Sequence, residues 1–328
     1  MKIEILGAEF FAAVFLVGVM GFAIQRGATC TVAAVDELLH KRRAHRLRSL
    51  LEAALWVSGG ILLARALQLS AIMPTGFDVG WSTFVGATLL GFGAWLNGAC
   101  VFGAIARFGN GEWAYSFTPA GFFVGALAFQ SLARGTAPLQ PSPSLSPVLA
   151  STQLLAALFA VFVFWRLATA LLAKPGAQPF LPWLRESVWA PGAATVVIGI
   201  TFVIVLFLMG ATWAYTDVLA ELAGGKGMNS LPRSLLLLAL LLGAVLGGVT
   251  AKRFAHTPLS CQSVGRCFIG GVLMGLGSLT IPGSNDGLIL IGMPLLWPHA
   301  WVAFAVMCLT IAAAMSISAR WPARQRTQ

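Results

Sequence analysis

The chain has 328 residues, of which 58% are hydrophobic and only 10% charged, with a formal net charge of +10 and a mean hydropathy of +0.84. That balance lies far outside the globular range and excludes an ordinary soluble enzyme or binding module. It also makes the positive charge a matter of membrane orientation and lipid headgroups, with nucleic acid excluded as the expected partner.

Nine apolar stretches are long enough to cross about 30 Å of hydrocarbon as helices. They fall near residues 5–25, 50–69, 79–97, 117–134, 149–173, 190–213, 234–251, 267–298 and 300–318. The first carries a single upstream cation, Lys2, and no small-residue cleavage site, so it is expected to stay as a membrane helix. The expected fold is therefore all-α and polytopic, with about nine transmembrane helices and short re-entrant half-helices.

Orientation follows from the cations. Lys41, Arg42, Arg43, Arg46 and Arg48 crowd one connection, and Lys174 with Arg185, Lys252 with Arg253, and Arg320 with Arg324 and Arg326 mark three more. These loops are expected to be cytoplasmic, which puts the N-terminus in the periplasm and the C-terminus in the cytoplasm of a bacterial inner membrane protein. The uncharged stretch "TAPLQPSPSLSP" at 136–147 falls outside, although Arg134, Lys226 and Arg233 weaken the bias.

Two stretches repeat. "GFGAWLNGACVFG" from residue 91 and "GLGSLTIPGSNDG" from residue 275 share glycines 184 positions apart, and "GATCTVAAVDELL" from 27 matches "GATWAYTDVLAEL" from 210 at an offset of 183. Two matches in one order at nearly one offset argue for duplication. Because the first copy starts outside and the second inside, the copies are expected to be inverted. The expected division is a first repeat over 1–148, a linking helix and cytoplasmic loop over 149–185, and a second repeat over 186–328.

Each matched stretch contains a polar break, around Cys30, Cys100, Trp213 and Ser284. Non-helical backbone at membrane depth survives only when it is packed in protein or lines an aqueous path. Inverted-repeat transporters place their substrate there, with half-helix N-termini aimed at an anion. Gly59, Gly60, Gly243, Gly247 and Gly248, outside the breaks, read as helix-packing glycines. The candidate path residues are Cys30, Cys100, Ser284, Thr29, Asn97, Asn285 and Asp286, with Arg26 and Arg107 beside them. The cysteines form no CxxC pair and no cluster with the histidines, so neither a metal site nor another cofactor is expected.

"GFAIQRGATCTVAAVDELL" at 21–39 and "GFGAWLNGACVFGAIARFGNGEW" at 91–113 resemble the two cysteine-bearing signatures of the YeeE/YedE family of membrane sulfur transporters. The resemblance covers nearly the whole chain in length and segment number. It implies thiosulfate uptake through an inverted-repeat helical protein, with a cysteine relay, and a cytoplasmic sulfur-carrier partner of the TusA type. The family's third cysteine has no counterpart: Ser284 stands there, followed by Asn285 and Asp286.

A neutral thiol in a low-dielectric passage is a weak donor that hands a soft anion on without trapping it. Arg26 and Arg107 either attract the anion or anchor the chain at the cytoplasmic face. Asp286 is either a helix cap or a group that handles substrate or protons, since a dianion entering an inside-negative cell works against about 2.3 kcal/mol per charge per 100 mV. Three alternatives stand beside thiosulfate uptake. One is transport of a different sulfur or selenium compound. Another is a sulfurtransferase-like thiol enzyme, disfavoured because no His or Lys falls within either cysteine motif. The third is a receptor docking a partner through the basic loop at 40–48.

Overall fold

A computed structural model describes residues 7–69, 71–132, 146–150, 152–172, 186–225 and 231–320. Lys2, Arg134, Lys174, Arg185, Lys226, Arg324 and Arg326, and most of the 136–147 stretch, lie outside the described residues. The elements in order are α1 (Ala8–Gly27), α2 (Thr31–Lys41), α3 (His45–Ala66), α4 (Trp81–Asn97), α5 (Val101–Gly109), a 3-10 turn (Trp113–Ser116) and α6 (Phe117–Leu132). Then follow α7 (Thr152–Leu172), α8 (Pro191–Met209), α9 (Tyr215–Ala223), α10 (Leu231–Thr250) and α11 (Cys261–Thr280). The last two are α12, an α turn over Asn285–Gly287 running into a π turn over Leu288–Gly292, and α13 (Pro298–Arg320).

The protein is an all-α, multi-pass membrane protein. Seven segments among the described residues are long and apolar enough to cross a bilayer, two of them joining a long helix to the half-helix after it. α6 and α7 are helices that fall on the remaining two of the nine stretches where a crossing is expected. The stretch expected to cross at 267–298 is divided: α11 is the full helix, and the polar break begins a short one.

Glycine sets how closely the long helices pack. A Cβ on Gly21 would enter the Leu240 carbonyl, one on Gly243 the Gly18 carbonyl, and one on Gly248 the Gly109 carbonyl, so α1, α5 and α10 meet backbone to backbone. The α4–α11 contact has two matching points. Gly93 lies against the Gly270 carbonyl at 2.8 Å, and Gly277 against the Gly86 carbonyl at 2.5 Å, measured from the Cβ each lacks. The pairing scheme is matched in the same way: α1 packs on α10 as α8 packs on α3, and α6 packs on α11 as α13 packs on α4.

Candidate functional site

Each of the four polar breaks ends one helix and caps the next. α1 stops because Ala28 turns left-handed at φ 45°, its N–H reaching back to the Gln25 carbonyl at 3.1 Å. Cys30 is then extended and stands at the N-cap of α2. α4 stops at Gly98, whose φ of 75° suits glycine, and the extended Cys100 stands at the N-cap of α5. α8 stops at Gly210, φ 67°, leaving Ala214 as the N-cap of α9. Ser284 caps α12, and its hydroxyl accepts from Gly287 N–H at 3.5 Å. The first N–H groups of each half-helix have no intrahelical acceptor and carry the positive end of its dipole.

Three of these caps meet, and the fourth half-helix, α9, joins them through Thr216 in its first turn. Thr31 N–H points at Cys100 Sγ at 3.1 Å, which sets the Cys100 cap beside the start of α2, where Cys30 is the preceding residue. The Thr31 hydroxyl donates to Asn285 Oδ1 at 3.1 Å. Asp286 receives the Thr216 hydroxyl at 2.7 Å and Thr216 N–H at 3.5 Å, and Ser284 Oγ bonds both Asp286 and Thr216. Cys100, Ser284 and Asn285 are fully buried, and Asp286 is 2% exposed. Among the described residues no cation lies within ion-pair distance of Asp286. Two buried polar atoms here have no partner among the described residues, Asn285 Nδ2 and Thr29 Oγ1. Both are able to donate to an anion, which is what an unpaired group at membrane depth has to offer.

Cys30 connects this cluster to a cavity of about 590 Å³. Its sulfur lies over Gly103, which has no Cβ to displace it. Arg46, Arg107 and Arg253 line the same cavity, together with Asp36 and Glu112. Arg107 pairs with Glu112 at 3.4 Å and lies over the Tyr115 ring at 5.3 Å. Arg26 has a different setting. It is 1% exposed, donates to Thr250 Oγ1 at 2.9 Å and to the Glu186 carbonyl, and lies over the Phe22 ring at 4.9 Å. It therefore ties the end of α1 to α10 and to the segment before α8, and it is not among the residues lining the cavity. Asn97 holds the turn: its Nδ2 donates to the Ala99 carbonyl at 2.7 Å, while Thr118 donates to its Oδ1 at 3.0 Å.

Sequence reasoning passed over three residues that organise the site. Thr31 and Thr216 were hidden because a threonine opening a helix is commonplace, although each directly follows a flagged break. Arg46, in the basic loop, carries only an orientation signal in the sequence. Its Nη1 donates to the Ala28 carbonyl at 3.2 Å and its Nε pairs with Glu37 at 3.4 Å. Arg233 repeats the arrangement at the other duplicated break, donating to the Thr212 carbonyl at 2.6 Å and to Glu221. In that break Trp213 takes the place of Cys30, buried, with its indole N–H directed to the Arg233 carbonyl at 3.4 Å.

Residues 26–313 match a family profile described as sulphur transport. The chain is also similar to the thiosulfate transporter TsuA of Spirochaeta thermophila, with 25% identity over 320 residues, spanning 88% of this chain and 93% of the relative.

Proposed function

The chain belongs to the sulphur-transport family, the YeeE/YedE transporters, and is a multi-pass membrane transporter of a sulfur-containing anion; from that premise we propose that it takes up thiosulfate through the breaks capped by Cys30, Cys100 and Ser284. The observation that carries this reading is the meeting of caps, in which the single residue Thr31 touches both Cys100 Sγ and Asn285 Oδ1. A soft sulfur anion arriving there finds two thiols, half-helix N–H groups and two unpaired donors, Thr29 Oγ1 and Asn285 Nδ2. These are several weak sites in series and no tight one, which suits passage over capture.

The duplicated halves run in opposite directions across a bacterial inner membrane, with the N-terminus periplasmic and the arginine-lined cavity facing the cytoplasm. Support comes from the matched helix pairings, the reciprocal Gly93 and Gly277 contacts, and the paired arginines Arg46 and Arg233. On this reading Asn97 shapes the path without touching the anion, Arg107 draws the anion toward the exit, and Arg26 fixes the frame. A TusA-type carrier on the cytoplasmic side would take the substrate onward.

A second reading has its own observation. Ser284 and Asp286 share hydrogens with Thr216 where a third thiol is expected, giving a harder, oxygen-rich segment. That chemistry suits a more oxidised sulfur anion, or the analogous selenium compound. Proteoliposomes holding the purified chain, offered radiolabelled thiosulfate, sulfite, sulfate and selenite, decide between the two. Thiosulfate uptake that is saturable and lost in Cys100→Ala is expected. Preference for another anion supports the second reading, and transport of none of them leaves only a docking role.

A further inference from the structure

Beside the main cavity lies another, of about 290 Å³, whose wall shares Gly98, Arg107 and Glu112 with it. We propose that this smaller cavity is a second anion site, in which Arg107, Arg266 and Cys267 hold a sulfur-bearing oxyanion next to the thiol path.

The construction favours an anion in three ways. Two guanidinium groups, Arg107 and Arg266, face one carboxylate, Glu112, so the lining carries an excess positive charge. Arg107 is already engaged by Glu112. Arg266 is not: among the described residues no carboxylate lies within ion-pair distance of it, and its Nε is bound to the Leu96 carbonyl at 3.2 Å, which fixes the planar fork while leaving the terminal nitrogens to a ligand.

The floor of the site is Gly98. A Cβ there would lie 3.5 Å from Arg266 Nη2 and 3.5 Å from the Tyr115 hydroxyl, so both groups gather over a residue with no side chain. The same glycine is the left-handed turn that delivers Cys100 two residues later. An anion seated over Gly98 is thereby one turn of backbone from the thiol pair.

Cys267 supplies the selectivity. Its residue is 3% exposed yet lines the cavity. Guanidinium forks match oxyanion oxygens, whereas a thiol matches a terminal sulfur and offers a hard, fully oxygenated anion little. The ligand class is therefore a tetrahedral oxyanion bearing one exposed sulfur, of which thiosulfate is the simplest. This inference rests on the proposed path, because it makes the smaller cavity the next station after Cys30.

Equilibrium binding of radiolabelled thiosulfate to the purified protein tests it, with unlabelled sulfate as competitor. Two classes of site per chain are expected. Arg266→Gln should weaken one class at least about tenfold for both thiosulfate and sulfate, and Arg266→Lys should restore part of it. Cys267→Ala should instead erase the preference for thiosulfate over sulfate at that class and leave sulfate binding intact, a pattern that loss of packing does not produce. Cys100→Ala should remove the other class. A single class that ignores Arg266→Gln and Cys267→Ala but vanishes in Cys100→Ala would overturn the second site and keep the path. Binding lost in Arg266→Gln but unchanged in Cys100→Ala would keep this site and overturn the path.

Discussion

The Thr31 hydroxyl donates to Asn285 Oδ1 at 3.1 Å across 254 positions of sequence. Both residues are fully buried and each opens a half-helix. The bond therefore sets the distance between the half-helix led by Cys30 and the one led by Ser284. Thr31→Val keeps the side-chain shape and strands an amide whose Nδ2 is already without a partner. The expected cost is about 1–3 kcal/mol of stability, with uptake reduced in protein that still inserts. A double-mutant cycle with Asn285→Leu should return a coupling of about 0.5–1.5 kcal/mol. Strict additivity would mean that the two half-helices do not hold each other.

Cys100 has two jobs that substitution separates. Its sulfur accepts the Thr31 N–H, so Cys100→Ala leaves that donor unpaired as well as removing the thiol. Cys100→Ser restores an acceptor in the same place, harder and more strongly hydrated. Transport should collapse in the alanine variant and recover only partly in the serine variant, while thermal stability recovers by about 1 kcal/mol. Ser284→Cys should raise the rate or the preference for thiosulfate. Normal uptake in Cys100→Ala with no effect of Ser284→Cys would sink the relay.

Much of this was legible from residue order because the bilayer allows so few structures. The long helices follow from runs of apolar residues, and the four breaks from glycine joined to polar residues where nothing polar belongs. The site's wiring was less legible. Hydrogen bonds such as Thr31 to Asn285 join segments far apart in sequence, and no local pattern marks them. Arginines mislead in a particular way. Arg26, beside a cysteine break, reads as an anion-attracting group but is bonded to Glu186 and Thr250. Arg46 and Arg233 read as loop charges yet grip the breaks themselves. Side-chain reach decides such cases, and a guanidinium several ångströms long reaches in more than one direction from the same backbone position.

Arg46 and Arg233 should behave as a matched pair. Each binds a carbonyl inside a break and a glutamate near the end of the half-helix that follows, Ala28 with Glu37 and Thr212 with Glu221. Arg233→Gln should be the more damaging change, because its side chain is 23% exposed against 35% for Arg46 and its carbonyl bond is shorter, 2.6 against 3.2 Å. We expect about 1–3 kcal/mol for Arg233→Gln and under about 1 kcal/mol for Arg46→Gln, read from unfolding in mixed detergent. The charge swap Arg233→Glu with Glu221→Arg should regain the ion pair but not the Thr212 bond, and so only part of the loss. Full recovery would show that the carbonyl contact contributes nothing.

Gly103 offers the cleanest test of where the Cys30 sulfur has to be. A Cβ at residue 103 would lie 2.9 Å from Cys30 Cβ and closer still to its sulfur, nearer than atoms can approach. Gly103→Ala should therefore push the thiol out of its seat beside Cys100, at a cost of about 1–3 kcal/mol for overpacking. Uptake should fall sharply, because relay between weak sites depends on their spacing. Cys30→Ala in the same chain removes the obstructing sulfur, the closest of the clashing atoms, but keeps the Cβ at 2.9 Å, so the double variant should regain part of the stability while remaining inactive. That split between folding and transport is the informative result: recovery of both would mean that Cys30 fills space, and recovery of neither would mean that Gly103 is required for the backbone of α5 and not for the thiol above it. Uptake rate and thermal midpoint, measured on the same four proteins, separate the three outcomes.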